Sequence, residues 1–274
     1  GKTGLIQHCF HNPEIKGNYY TFFVDIYATK SLRDFVFSLS RVIVDGLKPF
    51  GRKAIEGFWN SVKSLQGGIT FDPVGNPSFN LQLGDIHSTE ATLDEIFRYL
   101  ERAAKPVIVA IDEFQQIARY PEKNVEAVLR THIQKCTNTN FVFAGSQRHM
   151  MQNIFFSASR PFYQSASFQN LGPIGERAYH KFVREHFEQT GKRISDECIA
   201  RIYGLFEGHT WYMQTLLNRL YEQAVPGETI IPEEANSVLH ATVDAQQSVY
   251  QSMVAMLSER QKELLFAVGK ERRA

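Results

Sequence analysis

Three short stretches of this 274-residue chain hold residue types that could do chemistry together: Gly1-Lys2-Thr3-Gly4, Asp112-Glu113 and Gly145-Ser146-Gln147. The first is followed at once by an amphipathic run. A phosphate-binding loop needs that order, with backbone N–H groups and the positive end of a helix facing the phosphates. Its lysine reaches the β- and γ-phosphates and its Ser/Thr hydroxyl ligates Mg²⁺. Gly1, Lys2 and Thr3 supply the last three positions of such a loop, while its first glycine and four spacer positions are missing. The chain therefore reads as a fragment that begins inside its own motif. A Gly-Lys-Thr tripeptide recurs by chance, so its meaning depends on its companions.

The first companion is "PVIVAIDEFQQI". An apolar run ending in two acids puts Asp112 at the carboxyl end of a buried strand, the edge where ligands collect in an open α/β sheet. There Asp112 can hold Mg²⁺ through water, and Glu113 can orient or deprotonate an attacking water. Two adjacent carboxylates are costly at such a place unless a cation or solvent faces them. The plain alternative is a strand end with two solvated acids. The second companion is "FVFAGSQR", a strand whose end brings the Ser146 hydroxyl and the Gln147 amide to the same edge. Both can touch a γ-phosphate or the water; alone, the stretch is no more than a turn.

The elements that must carry these residues follow from periodicity. Leu5, Ile6, Cys9 and Phe10 share a helical face, and "NYYTFFVDIYAT" reads as a buried strand. Ser31 and Asp34 start a helix with the apolar face Leu32, Phe35, Val36, Leu39 and Ile43. Two short strand patterns flank Gly75-Asn76-Pro77 as a hairpin. Leu93, Ile96, Phe97 and Leu100 form the next helix, which Pro106 stops before "VIVAIDE". Val125, Val128, Leu129 and Ile133 mark another helix ahead of "FVFAGS". Strands alternating with helices predict a parallel sheet covered on both faces.

Beyond "FQNLGPI" the strand signal nearly vanishes. Helical faces follow at Tyr179, Phe182, Val183 and Phe187, at Ile199, Ile202, Tyr203 and Phe206 behind Ser195, and at Met213, Leu216, Leu217, Leu220 and Tyr221 after Gly208. This predicts a separate helical module beginning near Pro173, its core packed also by Trp211 and Tyr212. Ser258 and Gln261 then cap "KELLFAVGK".

Composition narrows the field. With 43% hydrophobic and 22% charged residues a sizeable core is available, and a net charge of +1 provides no overall basic field for nucleic acid, leaving only a local patch to do so. No apolar run is long enough to cross a bilayer, so no membrane partner is expected. Cys9, Cys136 and Cys198 are too few and too scattered for a disulfide framework or a zinc site, which suits a reducing cytoplasm. They read as small apolar fillers. His8 and His11 have helical spacing but no acidic or Cys partner nearby, so they read as exposed polar residues.

Taken together, "GKTGLI", "VIVAIDEFQQI", "FVFAGSQRHMM", "RPFYQSASFQNLGPI", "FEGHTWYMQ" and "LSERQKELLFAV" resemble the AAA+ branch of P-loop ATPases. More narrowly, they resemble the prokaryotic STAND-like, archaeal-type ATPase family. That resemblance covers essentially the whole chain. It implies an α/β P-loop NTPase domain over 1–172 whose parallel sheet lacks its first strand, a helical lid over 173–245, and the start of a winged helix over 246–274. Lys2 and Thr3 match the Walker A positions, and Gly1, Lys2, Thr3 and Gly4 would contact nucleotide. Asp112 and Glu113 match the Walker B pair and Ser146 the first sensor. Thr3 and Asp112 would hold Mg²⁺; Glu113, Lys2 and Ser146 would serve catalysis.

The implied ligands are ATP and Mg²⁺, and the implied activity is ATP hydrolysis by a switch in the cytoplasm, with this fragment by itself inactive. Protein partners through fused domains, a nucleotide-dependent oligomer, and DNA bound by the winged helix are the associations such proteins have. A DNA-associated loader or regulator and a non-catalytic nucleotide-bound scaffold are the alternatives; the intact Asp112-Glu113 pair speaks against the scaffold. In place of the proline usual in the family's lid motif, Thr210 follows Gly208-His209, which puts nucleotide sensing at that turn in doubt. Arg148 and Arg160 are the candidates for an arginine finger, each balanced against a solvated surface role.

Overall fold

The computed structural model describes residues 1–65, 68–71, 77–80 and 82–271. It divides into two compact units, residues 1–169 and 170–274.

In the first unit, α1 (Lys2–His11) and α2 (Pro13–Asn18) precede β1 (Tyr20–Asp25), and α3 (Leu32–Leu47) and α4 (Arg52–Ser61) follow it. The antiparallel pair β2 (Gly68–Phe71) and β3 (Pro77–Asn80) is the expected hairpin. Its turn residues Gly75 and Asn76 lie outside the described residues. Then come α5 (Thr89–Glu101), β4 (Val107–Asp112), α6 (Val125–Lys135), β5 (Thr139–Phe143) and α7 (Arg148–Phe156). Strands β1, β4 and β5 form a parallel sheet in the order β1-β4-β5.

The sequence periodicities explain the core. The Ser31 hydroxyl accepts from Asp34 N at 3.1 Å and starts α3, whose expected face is buried throughout. Side chains of a strand alternate between faces. Tyr20, Phe22 and Val24 of β1 lie with Val107, Val109 and Ile111 of β4 on the buried face. There Phe97 of α5 stacks on Phe141 of β5, with centroids 5.8 Å apart. The opposite face corrects the expectation of cover on both sides. Thr21, Phe23 and Ile108 are only half-buried and Val142 is exposed. Helix α1 forms, but buries none of its residues, and Leu5 and Cys9 are exposed. Its apolar spacing made a helix without making a packed one.

The second unit contains α8 (Glu176–Glu188), β6 (Arg193–Ile194), α9 (Asp196–Phe206), α10 (Thr210–Gln223), β7 (Thr229–Ile230), α11 (Pro232–Ala245), α12 (Gln247–Ala255) and α13 (Glu259–Glu271). Strands β6 and β7 pair over two residues in parallel. Helices α8 to α11 close a core of their own around Tyr179, Val183, Phe187, Cys198, Ile202, Met213, Leu216 and Leu220. Helices α12 and α13 bury no residue. Gly208 follows α9 at φ +77°, where a Cβ would also strike Pro173, so glycine is required at this turn. Phe182 points outward, as do Trp211 and Tyr212 at 66% and 51% exposure, correcting their expected place in the core. At 100° per residue, Trp211 falls opposite the Met213–Leu217 stripe of α10. Among the described residues, no helix is long and apolar enough to cross a membrane.

Candidate functional site

The apolar run of β4 ends at Asp112, which is 5% exposed. The β4–β5 pairing runs to Ile111 opposite Phe143. Beyond it, Ala144 N donates to Ile111 O and Phe114 N donates to Ala144 O, each at 2.9 Å. These two bonds carry the strand pairing past its end and hold Gly145-Ser146 beside Asp112-Glu113.

The first turn of α1 meets this edge. Thr3 Oγ1 donates to Asp112 Oδ2 at 2.5 Å, and Lys2 Nζ donates to Gly145 O at 2.9 Å. Residues 109 and 143 positions apart in the chain thereby share one corner of the sheet. Helix α1 has no side-chain cap and no acid in its first turn, so its leading N–H groups remain free for a ligand. A Cβ at Gly1 or Gly4 would meet nothing within 4 Å, which leaves the backbone of this turn open to close approach.

Glu113 adopts the left-handed conformation, φ 55° and ψ 38°. A non-glycine residue there costs on the order of 1 kcal/mol, a strain found where the surroundings over-determine the backbone. Its N–H donates to Asp112 Oδ1 at 3.0 Å. Its Oε2 accepts from Ser146 Oγ at 2.8 Å and from the Nε2 of Gln115. Sequence reasoning passed over Gln115, which is 2% exposed. The available signal was an amide two residues beyond the acid pair, inside a mostly apolar turn. Gln147, by contrast, is exposed and accepts from Arg119 Nη2 at 3.3 Å, and its side chain bonds to neither acid among the described residues.

Among the candidate fingers, Arg160 is committed elsewhere: it forms a half-buried ion pair with Glu126 of α6. Arg148 is exposed at the start of α7. His8 and His11 are exposed, as expected.

The donor set fits Mg²⁺. Asp112 is buried and makes no ion pair among the described residues. It stands against a hydroxyl, so the corner offers two hard oxygen ligands. Among the described residues no group of three His, Cys, Asp or Glu could hold a metal ion by itself. Mg²⁺ accepts such a partial set, because it keeps several waters and takes its other ligands from substrate phosphates.

No protein-family model and no curated protein matches the chain. Among solved structures, it is similar to the Walker-type ATPase of Pyrococcus abyssi, at 15% identity and a TM-score of 0.54, over 88% of this chain. This chain spans 64% of the length of that ATPase. A second similar structure is the ORC2 protein of Aeropyrum pernix in ADPNP–ADP complexes, with 12% identity and a TM-score of 0.43 over 68% of this chain and 41% of that one. The likeness to the Pyrococcus ATPase is one of fold, an α/β architecture built on a parallel sheet.

Proposed function

We propose that the protein binds Mg²⁺-ATP at the junction of α1, β4 and β5 and hydrolyses it as a molecular switch of the STAND/AAA+ type. The observation that carries this reading is the Thr3–Asp112 contact of 2.5 Å, with Lys2 beside it at Gly145. A phosphate-loop threonine and a strand-end aspartate that share one metal ion must lie on the same corner.

In this reading Lys2 exchanges the Gly145 carbonyl for β- and γ-phosphate oxygens, and the free N–H groups of α1 bind phosphate. Thr3 and Asp112 would hold Mg²⁺, which would supply positive charge against the phosphate oxygens. Glu113 orients the attacking water and takes its proton, and the Ser146 hydroxyl senses the γ-phosphate or the water. The helical module over 173–245 serves as the lid that responds to nucleotide state, and slow turnover keeps the bound form long enough to be read.

The test is phosphate release from Mg²⁺-ATP by the intact protein. Lys2→Ala lowers ATP affinity. Glu113→Gln keeps ATP binding and slows turnover by roughly 10²–10⁴-fold, the scale of a lost general base. Hydrolysis at the unmodified rate in the Glu113 variant removes the assignment.

A further inference from the structure

Gln115 is nearly inaccessible, yet only half of its amide is satisfied. Its Nε2 donates to Glu113 Oε2, while its Oε1 is buried without a hydrogen-bond partner. The orientation is chemically determined, since turning the oxygen towards the carboxylate would oppose two acceptors. A buried amide left half-unpaired is a cost, and the one bond gained goes to the proposed general base. Gly145 makes room for it. A Cβ built there would collide with Gln115 Oε1 and lie 2.8 Å from Met151 Sδ. Gly145 is not in the left-handed region, so its lack of a side chain answers to this space and not to the backbone.

We infer that Gln115 is a positioning residue: its amide, seated in the space left by Gly145, holds the Glu113 carboxylate beside Ser146. This rests on the proposed role of Glu113. Glu113 has only two side-chain donors among the described residues, Gln115 and Ser146. When Ser146 turns to a phosphate, Gln115 alone fixes the carboxylate over the water. Gln115 makes no bond to Lys2, Thr3 or Asp112, so its loss should spare nucleotide and metal binding.

The experiment compares Gln115→Leu, Glu113→Gln and the double variant of the intact protein, by steady-state hydrolysis of Mg²⁺-ATP, ATP binding and thermal melting. Gln115→Leu should lower kcat roughly 10–100-fold with KM and ATP binding unchanged, the scale of a misplaced reacting group. The double variant should be no slower than Glu113→Gln alone, because Gln115 acts through that carboxylate. An unchanged kcat in Gln115→Leu, or losses that add in the double variant, overturns the inference. If Gln115→Leu fails to fold, Gly145→Ala keeps the Lys2 acceptor and crowds the same amide; a normal kcat in that variant overturns the inference equally. Should Glu113→Gln itself hydrolyse at the unmodified rate, the proposed function is at fault. Should it be slow while Gln115→Leu is fast, only the role of Gln115 is.

Discussion

Replacing Arg160 with Met separates a structural ion pair from an arginine finger. The guanidinium lies against Glu126, whose side chain is 10% exposed while that of Arg160 is 32% exposed. Breaking a fully buried pair by removing one partner costs about 3–5 kcal/mol, because the remaining charge is stranded. This pair is weaker than that limit. One nitrogen meets one oxygen, and Arg160 Nε and Glu126 Oε2 are both buried without partners. With Arg160 partly in solvent, about 1–3 kcal/mol is the expected loss at pH 7. In a domain of this size that lowers Tm by about 2–12 °C.

The pH dependence has a definite sign. Burial pushes the Glu126 carboxyl above its ordinary 4.5, and Arg160 pulls it partly back. A raised carboxyl binds more protons in the folded state, so stability falls as pH rises through its folded pKa. Without Arg160 the carboxyl rises further. The cost of Arg160→Met should therefore be full above that raised value and shrink as pH falls towards 4.5. Adding Glu126→Gln removes the stranded charge and should restore most of the loss. Urea unfolding at pH 7 and pH 5 compares the parent with both variants. If Arg160→Met is as stable as the parent at both pH values while ATP turnover collapses, the ion-pair account is refuted and the finger reading returns.

Three further outcomes follow from the same geometry. Thr3→Val keeps the shape and removes the donor to Asp112; losing a bond to a charged group should weaken Mg²⁺-dependent ATP binding by about 10–100-fold, read by titrating Mg²⁺ against a fluorescent ATP analogue. Tyr120 shares a 2.6 Å hydrogen bond with Thr29, and burial is the main cause that pushes its hydroxyl from 10.0 up to about 12. The folded state then keeps the proton longer, so this contribution is present below pH 10.0 and lost by about pH 12. Tyr120→Phe should cost about 1 kcal/mol at pH 7 and flatten the alkaline loss in an unfolding series. Of the three thiols, Cys9 is exposed, whereas burial pushes Cys136 and Cys198 up to about 11. Native labelling at pH 7.5, roughly a unit below the ordinary thiol range, should modify Cys9 fast and the other two only on unfolding.

Much of the architecture is written in local pattern. The stripe Leu32, Phe35, Val36, Leu39 and Ile43 specifies a helix and the side it buries. The apolar run before Asp112 specifies a strand with acids at its ligand-facing end. Periods of 3.6 and 2 are properties of consecutive residues, so they can be read without knowing any neighbour. What those residues face is a different matter. Sheet order and strand-end pairing bring Thr3 to Asp112, Lys2 to Gly145 and Ser146 to Glu113 across 109, 143 and 33 positions. The left-handed turn at Glu113, the Gln115 amide behind it and the capture of Arg160 by Glu126 arise there too. So do the exposure of Trp211 and the incomplete cover of the second sheet face, since burial depends on whether another element arrives to cover a surface. Periodicity carries a residue's direction along the chain; only three-dimensional closure supplies its partner.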